Sequence, residues 1–409
     1  LGCKPAEKNT RRYRGACFSY AILEYMHART ILTIGNFFFS IFSTLITFIL
    51  LPYLSQIMPA AYAGLVVAGS SLGALVLFPL LPRAVERFGA KQIALSLALI
   101  EMAVLFALAS SPGAITSILL IAVTIAVQPL LSYEFDLLLE ATVDDNGTQG
   151  RVRTLFRTAW SIAALAAPLL LGAILVNADA YGRVFIAAAA MLAPIVIFFS
   201  ANHLPHGPPP KYVHMRDTLV RIARNRDLAA VTFGNFCLYL FVAWAPLYTP
   251  IYLHDILGIP WSSLGWMFAV MLIPYVLIEY PAGLIADRFI GDKELMLAGF
   301  LIAGGGLAAL AFLTPHTPLF IILIILLVSR VGGALTDAMV DAHFFRRVNK
   351  RDINSVSIFR AAWPLAYIVA PMTASVLLMY GDYPFFFLAT GGFIAVAGVI
   401  ATLLIKDFR

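Results

Sequence analysis
Along this chain, apolar stretches of about 20 residues alternate with short polar breaks. A helix of about 20 residues is what it takes to cross a hydrocarbon core of roughly 30 Å. Twelve stretches qualify, at about 31–52, 60–82, 92–110, 114–136, 154–177, 183–200, 231–253, 262–286, 294–313, 318–342, 357–379 and 384–405. Backbone amides and carbonyls in lipid must be satisfied internally, so each stretch is expected to be an α-helix. The pattern predicts an all-α membrane protein with twelve transmembrane helices.

The pattern is also repeated. Thr154–Pro168 reads TLFRTAWSIAALAAP, and Ser357–Pro371, about half the chain further on, reads SIFRAAWPLAYIVAP. Segment 1 opens with TIGNF (Thr33–Phe37) and segment 7 with TFGNF (Thr232–Phe236), and both run on to a Tyr-Leu pair, Tyr53-Leu54 and Tyr252-Leu253. ERFGAK (Glu86–Lys91) follows segment 2, and DRFIGDK (Asp287–Lys293) follows segment 8. Glu134 meets Asp337, and Asp179 meets Asp382. The matches keep their order, which predicts two pseudo-symmetric six-helix bundles at 29–200 and 229–405. A tail (1–28), a linker (201–228) and a short C-terminus (406–409) complete the chain. Two similar halves in a membrane have one leading physical use: a site between them is exposed to each side in turn.

Composition agrees with this class. Hydrophobic residues make up 61% of the chain and charged residues 12%, too few to cover a soluble surface of this size. The net charge of +6 could point to nucleic acid, but its distribution points elsewhere. With the N-terminus in the cytosol, every Lys and Arg except Arg183 and Arg330 falls in a cytosolic loop or end. That asymmetry is a topology signal, and the basic balance then serves orientation and contact with anionic lipid. No nucleic-acid partner is expected. The expected location is a prokaryotic cytoplasmic membrane, with both termini cytosolic and the protein a monomer.

Twelve helices in two parallel halves resemble the major facilitator superfamily of secondary transporters, over about residues 29–405. The most specific element is Gly283-Leu-Ile-Ala-Asp287-Arg288-Phe-Ile-Gly291-Asp-Lys293. It resembles the family's loop motif G-x-x-x-D-R-x-G-R-K, with one extra residue before the second glycine. In the N-terminal copy Pro82 replaces the first glycine and Glu86 the aspartate. The resemblance implies a cytosolic gate made of Glu86, Arg87, Lys91, Asp287, Arg288 and Lys293. Asp287 would sit at the N-terminal end of segment 5 and Glu86 against segment 11, where helix dipoles favour an anion. The resemblance further implies a central cavity lined by segments 1, 4, 7 and 10.

Polar positions on those segments supply the candidate cavity. Asn36, Ser40, Ser43 and Thr47 recur at helical spacing on one face of segment 1. Asn235 and Tyr239 occupy the matching face of segment 7, and Gln128 lies on segment 4. The opposing expectation is that such side chains bond their own backbone or glue helices together. Arg330 is the only basic residue at mid-membrane, and Val127 is its repeat partner, so symmetry does not require it. It is expected either to hold an anionic substrate group or to pair with Glu279 or Asp337. Glu101, in the middle of segment 3, is either a proton-coupling site or a neutral acid bonded to a neighbouring helix. Glu134, Asp337 and Asp341 lie toward the cytosolic ends and are expected in a charge network there.

Other signals fail in context. Gly333-x-x-x-Asp337-x-x-x-Asp341 matches half of a phosphotransferase metal motif whose upstream half is missing. Asn146-Gly-Thr148 is a glycosylation sequon on the cytosolic side. His203, His206 and His214 lack an accompanying ligand cluster, so no metal and no cofactor are expected. The expected function is therefore gradient-driven transport of a small solute, with a proton or ion as a candidate co-substrate, rather than catalysis. The alternative is a sensor or scaffold on the same fold.

Overall fold
The structure is a computed structural model that describes residues 11–142, 149–176, 179–202, 204, 215–286, 291–348 and 353–406. Among these residues twelve helices are long and apolar enough to cross a membrane. They are α1 (His27–Ser55), α2 (Ala60–Phe88), α3 (Ala90–Ala109), α4 (Ala114–Glu140), α5 (Thr158–Leu175) and α6 (Tyr181–Ala201) in the first half. The second half holds α7 (Arg226–Ile256), α8 (Trp261–Gly283), α9 (Asp292–Phe312), α10 (Leu319–Arg347), α11 (Ser355–Tyr380) and α12 (Tyr383–Leu404). Each lies on one predicted stretch. The helix carrying α1 starts at Arg11, so the tail is helical from there on.

The repeats fold alike because the matched residues do the same work. Asn36 Nδ2 donates to the Phe156 carbonyl at 2.9 Å and ties α1 to the helix of α5. Its counterpart Asn235 donates to the Phe359 carbonyl at 2.8 Å and ties α7 to α11. Gly89 and Gly291 turn the chain between α2 and α3 and between α8 and α9, with φ of 84° and 96°. Residues with a Cβ rarely adopt that conformation, which explains the glycine in both loop copies. Two residues on, Lys91 Nζ donates to the Asn202 carbonyl at 2.9 Å, and Lys293 Nζ to the Ile405 carbonyl at 3.0 Å. Each lysine thus meets the negative C-terminal end of the last helix of its own half.

Small residues set the helix spacing. A Cβ on Gly332 would run into the backbone of Ala303, and one on Gly306 would lie 2.7 Å from Ser329 Cα, so α9 and α10 meet almost backbone to backbone. A buried charge cluster closes the basic end of the second half. His343 lies 3.5 Å from Asp227 and 3.6 Å from Asp292. Arg347 Nε reaches Asp227 at 2.7 Å, Arg346 reaches Asp292 at 3.2 Å, and the Lys406 amide donates to Asp227 at 2.7 Å. The cluster binds the starts of α7 and α9 to the end of α10 and to the chain after α12. Each buried carboxylate faces a cation, which offsets the cost of burial.

Among the described residues, contacts between the halves gather at the end away from the basic loops. Gly172 of α5 packs on Gly265 of α8, and Gly64 of α2 on Pro371 and Ser375 of α11. Phe48 of α1 stacks on Phe268 of α8 at 4.9 Å.

Candidate functional site
Three expected cavity residues are placed elsewhere. Asn36, Ser40 and Asn235 are 2%, 0% and 1% exposed. The asparagines make the helix ties above, and Ser40 Oγ donates to the Trp160 carbonyl at 2.9 Å. Buried polar groups must find a partner, and a helix carbonyl has a second lone pair to offer, so these residues became glue. Ser43 and Thr47 remain part exposed, with Thr47 Oγ1 bonded to the Ser43 carbonyl of its own helix. Gln128 is part exposed, and its buried Nε2 has no hydrogen-bond partner among the described residues.

The second half carries the charge. Arg330 is buried in α10 with its guanidinium carbon 5.3 Å from the centre of the Phe241 ring of α7 and beside Tyr275 of α8. Among the described residues it has neither an ion pair nor a hydrogen bond. The expected pairing with Asp337 is not made in this structure, since the two stand about two turns apart on one helix. The side chain of Glu279 lies outside the described residues. The aromatic face partly replaces the lost hydration of the cation.

Nearer the basic end, Arg360 of α11 donates to Asp341 of α10 at 3.1 Å. Tyr239 of α7 faces Arg360 and the carboxylates of Asp337 and Asp341. Trp363 and Tyr367 form an edge-to-face pair one and two turns further along α11. Arg360, Trp363 and Tyr367 were not singled out from the sequence as site residues. The repeated FR-x-AW run is the signal in the sequence that bears on them.

Two expected acids are deeply buried. Glu101 lies against Thr124 across the contact of α3 with α4, and both side chains are fully buried. Both carboxyl oxygens of Glu134 are buried without a hydrogen-bond partner among the described residues. At the expected gate, Glu86 and Arg87 are exposed and unpaired among the described residues, and Arg87 leans on the adjacent Phe88 ring. Asp287 and Arg288 lie outside the described residues, as do Asn146–Thr148, His203, His206 and His214. Lys91 and Lys293 bond within their own halves instead of across the gate.

The far end holds a polar contact that sequence reading missed. Asp179, in the loop before α6, reaches across to His254 Nε2 at 2.8 Å and accepts from Trp261 Nε1 at 3.2 Å. Ser55 Oγ donates to Asp255 at 2.9 Å, and the Ser262 amide donates to the Val176 carbonyl at 3.2 Å. All of these join one half to the other.

The sequence profile described as Major Facilitator Superfamily matches residues 32–254 and 231–407. The fold is similar to that of a solved nucleoside transporter, NupG, with a TM-score of 0.74 at 16% identity, covering 92% of this chain and 98% of that one. It is also similar to a bacterial homolog of the human lysosomal transporter Spinster in an inward-facing, unoccupied conformation. There the TM-score is 0.73 at 14% identity, covering 97% and 98%. At these identities the likeness concerns the fold alone. No curated protein matches the sequence.

Proposed function
The chain belongs to the major facilitator superfamily, and on that footing we propose that it is a gradient-driven carrier of a small solute, seen here closed on its outer side and open toward the cytosol. One observation carries the reading: among the described residues, the contacts that join the halves gather at the end opposite the basic loops. Those loops are assigned to the cytosol by the excess of basic residues. The fold neighbour solved in an inward-facing state is in keeping with this assignment.

The solute site lies between the halves. The first half offers neutral groups, Ser43, Thr47 and Gln128. The second offers Tyr239, Arg330 and the aromatic pair Trp363 and Tyr367. Arg360 is already neutralised by Asp341, which leaves Arg330, among the described residues, as the cation free to receive a ligand. The favoured substrate therefore carries a carboxylate, a phosphate or a cluster of strong acceptors, which a guanidinium fork binds in two-pronged fashion. Nucleosides belong in the test panel because one fold neighbour transports them.

The test is uptake into vesicles holding the purified protein, with an imposed solute or proton gradient and a panel of anionic and neutral metabolites. A substrate-dependent flux that falls with Arg330→Lys supports both the transport and the site. A panel that gives binding in a thermal-shift screen but no flux would favour the sensor or scaffold.

A further inference from the structure
His254 lies in the outer contact between the halves. His254 has an acceptor at each ring nitrogen. The Ile259 carbonyl oxygen is 2.8 Å from Nδ1, and Asp179 Oδ1 is 2.8 Å from Nε2. A neutral imidazole has a single N–H. Spent on Ile259, whose carbonyl can only accept, it leaves a bare lone pair facing a carboxylate oxygen at hydrogen-bond distance. One added proton resolves this. It resides either on the ring, as imidazolium, or on the Asp179 carboxyl, which then donates to Nε2. Both placements give the same count, one proton more than a neutral histidine plus a carboxylate.

The surroundings supply a donor to Asp179 and further negative charge beside the ring. Trp261 Nε1 donates to the same Asp179 oxygen, and the Trp261 ring lies 4.7 Å from the His254 ring. Asp255, held by Ser55, faces both His254 and Asp179 and adds negative charge. The Tyr181 hydroxyl of α6 faces Asp179 and Asp255, and that of Tyr383 of α12 faces Asp255; phenols stay protonated near neutral pH. The side chains of His254 and Asp179 are 18% and 47% exposed, so the proton exchanges with solution.

The arrangement departs from the repeat. Asp382, the counterpart of Asp179, caps its own helix by accepting from the Phe385 amide at 2.8 Å. Asp179 crosses to the other half instead. Ser55 stands where the repeat would place the counterpart of His254. The pair is thus a particular of this chain and not a product of fold symmetry.

We propose that outer closure is proton-linked: one proton is taken from the outer solution as His254 meets Asp179, and released as they part. The two residues belong to different halves, so opening must separate them. A histidine free in water is mostly neutral above about pH 7, and a free aspartate is ionised. Acid on the outer side therefore favours the closed form. A one-proton linkage changes the closed-to-open ratio by up to about tenfold per pH unit. The proposal rests on the alternating-access reading above.

The experiment places spin labels at Tyr62→Cys and Tyr380→Cys in a protein without its own cysteines, in nanodiscs. Both positions are exposed at the outer ends of α2 and α11. Distances are measured by double electron–electron resonance from pH 5.5 to 8.5. The short distance should dominate at low pH and give way to a long one as pH rises. His254→Gln and Asp179→Asn should each keep both distances and lose the pH dependence. An unchanged pH dependence in both variants, or two distances that ignore pH without any substitution, would overturn the proposal while leaving alternating access intact. A single short distance in every protein at every pH would overturn alternating access, and the proposal with it.

Discussion

Asn36 and Asn235 show how little the type of a polar residue says about its task. Both sit on a stripe that reads as cavity lining, and both turn toward a carbonyl of the neighbouring helix. Asn36→Ala and Asn235→Ala should each lower stability by about 1 kcal/mol, the net worth of a buried hydrogen bond, with the solute KM unchanged. Thermal unfolding in detergent together with vesicle uptake checks both parts. A raised KM with intact stability would return them to the cavity wall. Arg330 is the opposite case. Its cation rests on Phe241 with no ion pair among the described residues. Arg330→Met should therefore leave stability equal or higher, because a buried charge is replaced by a flexible apolar chain. Transport should fall by tenfold or more. Loss of folding in Arg330→Met, rescued by Glu279→Gln, would reveal a structural ion pair instead.

At the scale of helices, glycines mark close contacts both within one half and between the halves. A Cβ on Gly265 would lie 2.6 Å from the Pro168 carbonyl and 2.7 Å from Gly172 Cα, on the seam between α8 and α5. Gly265→Val should wedge that seam and raise the outward-open fraction, seen as a longer distance between labels at positions 62 and 380. Each half should remain folded, since the seam joins halves and not helices of one half. Gly332→Val offers the contrast, because α9 and α10 belong to the same half. It should cost about 1–3 kcal/mol or more through overpacking and leave the label distance unaltered. Equal effects of the two substitutions on label distance would mean that the α5–α8 contact is no gate. Both glycines are plain in the sequence, but the partner each one meets is not. A small residue permits close approach, and the tertiary arrangement decides which helix approaches.

For the whole molecule, orientation is the first quantity to test. An impermeant maleimide on intact cells should label Tyr380→Cys and spare Leu219→Cys, in the linker helix Met215–Arg224, until the membrane is opened. The reverse pattern would invert the topology and exchange the two gates. The twelve helices, their limits to within a turn or two, and the two-fold repeat were all legible in the chain. Hydrocarbon demands long apolar runs with internally satisfied backbones, so the membrane writes its thickness into the sequence. Equivalent residues do equivalent work, which made the loop glycines and lysines stand out in both copies. Lys91 and Lys293 anchor the last helix of their own halves, because the nearest negative helix end belongs to that helix. What the sequence left undecided is pairing across space. Which side chains are spent as glue, that Arg360 joins Tyr239 and Asp341, and that Asp179 meets His254 about 75 residues away, depend on how the two bundles lean together. That lean is held by a few small residues and polar contacts at one end, whose energies are small beside the burial that builds each half. Short-range pattern therefore determines the halves, and only the packed structure determines which side chains meet between them.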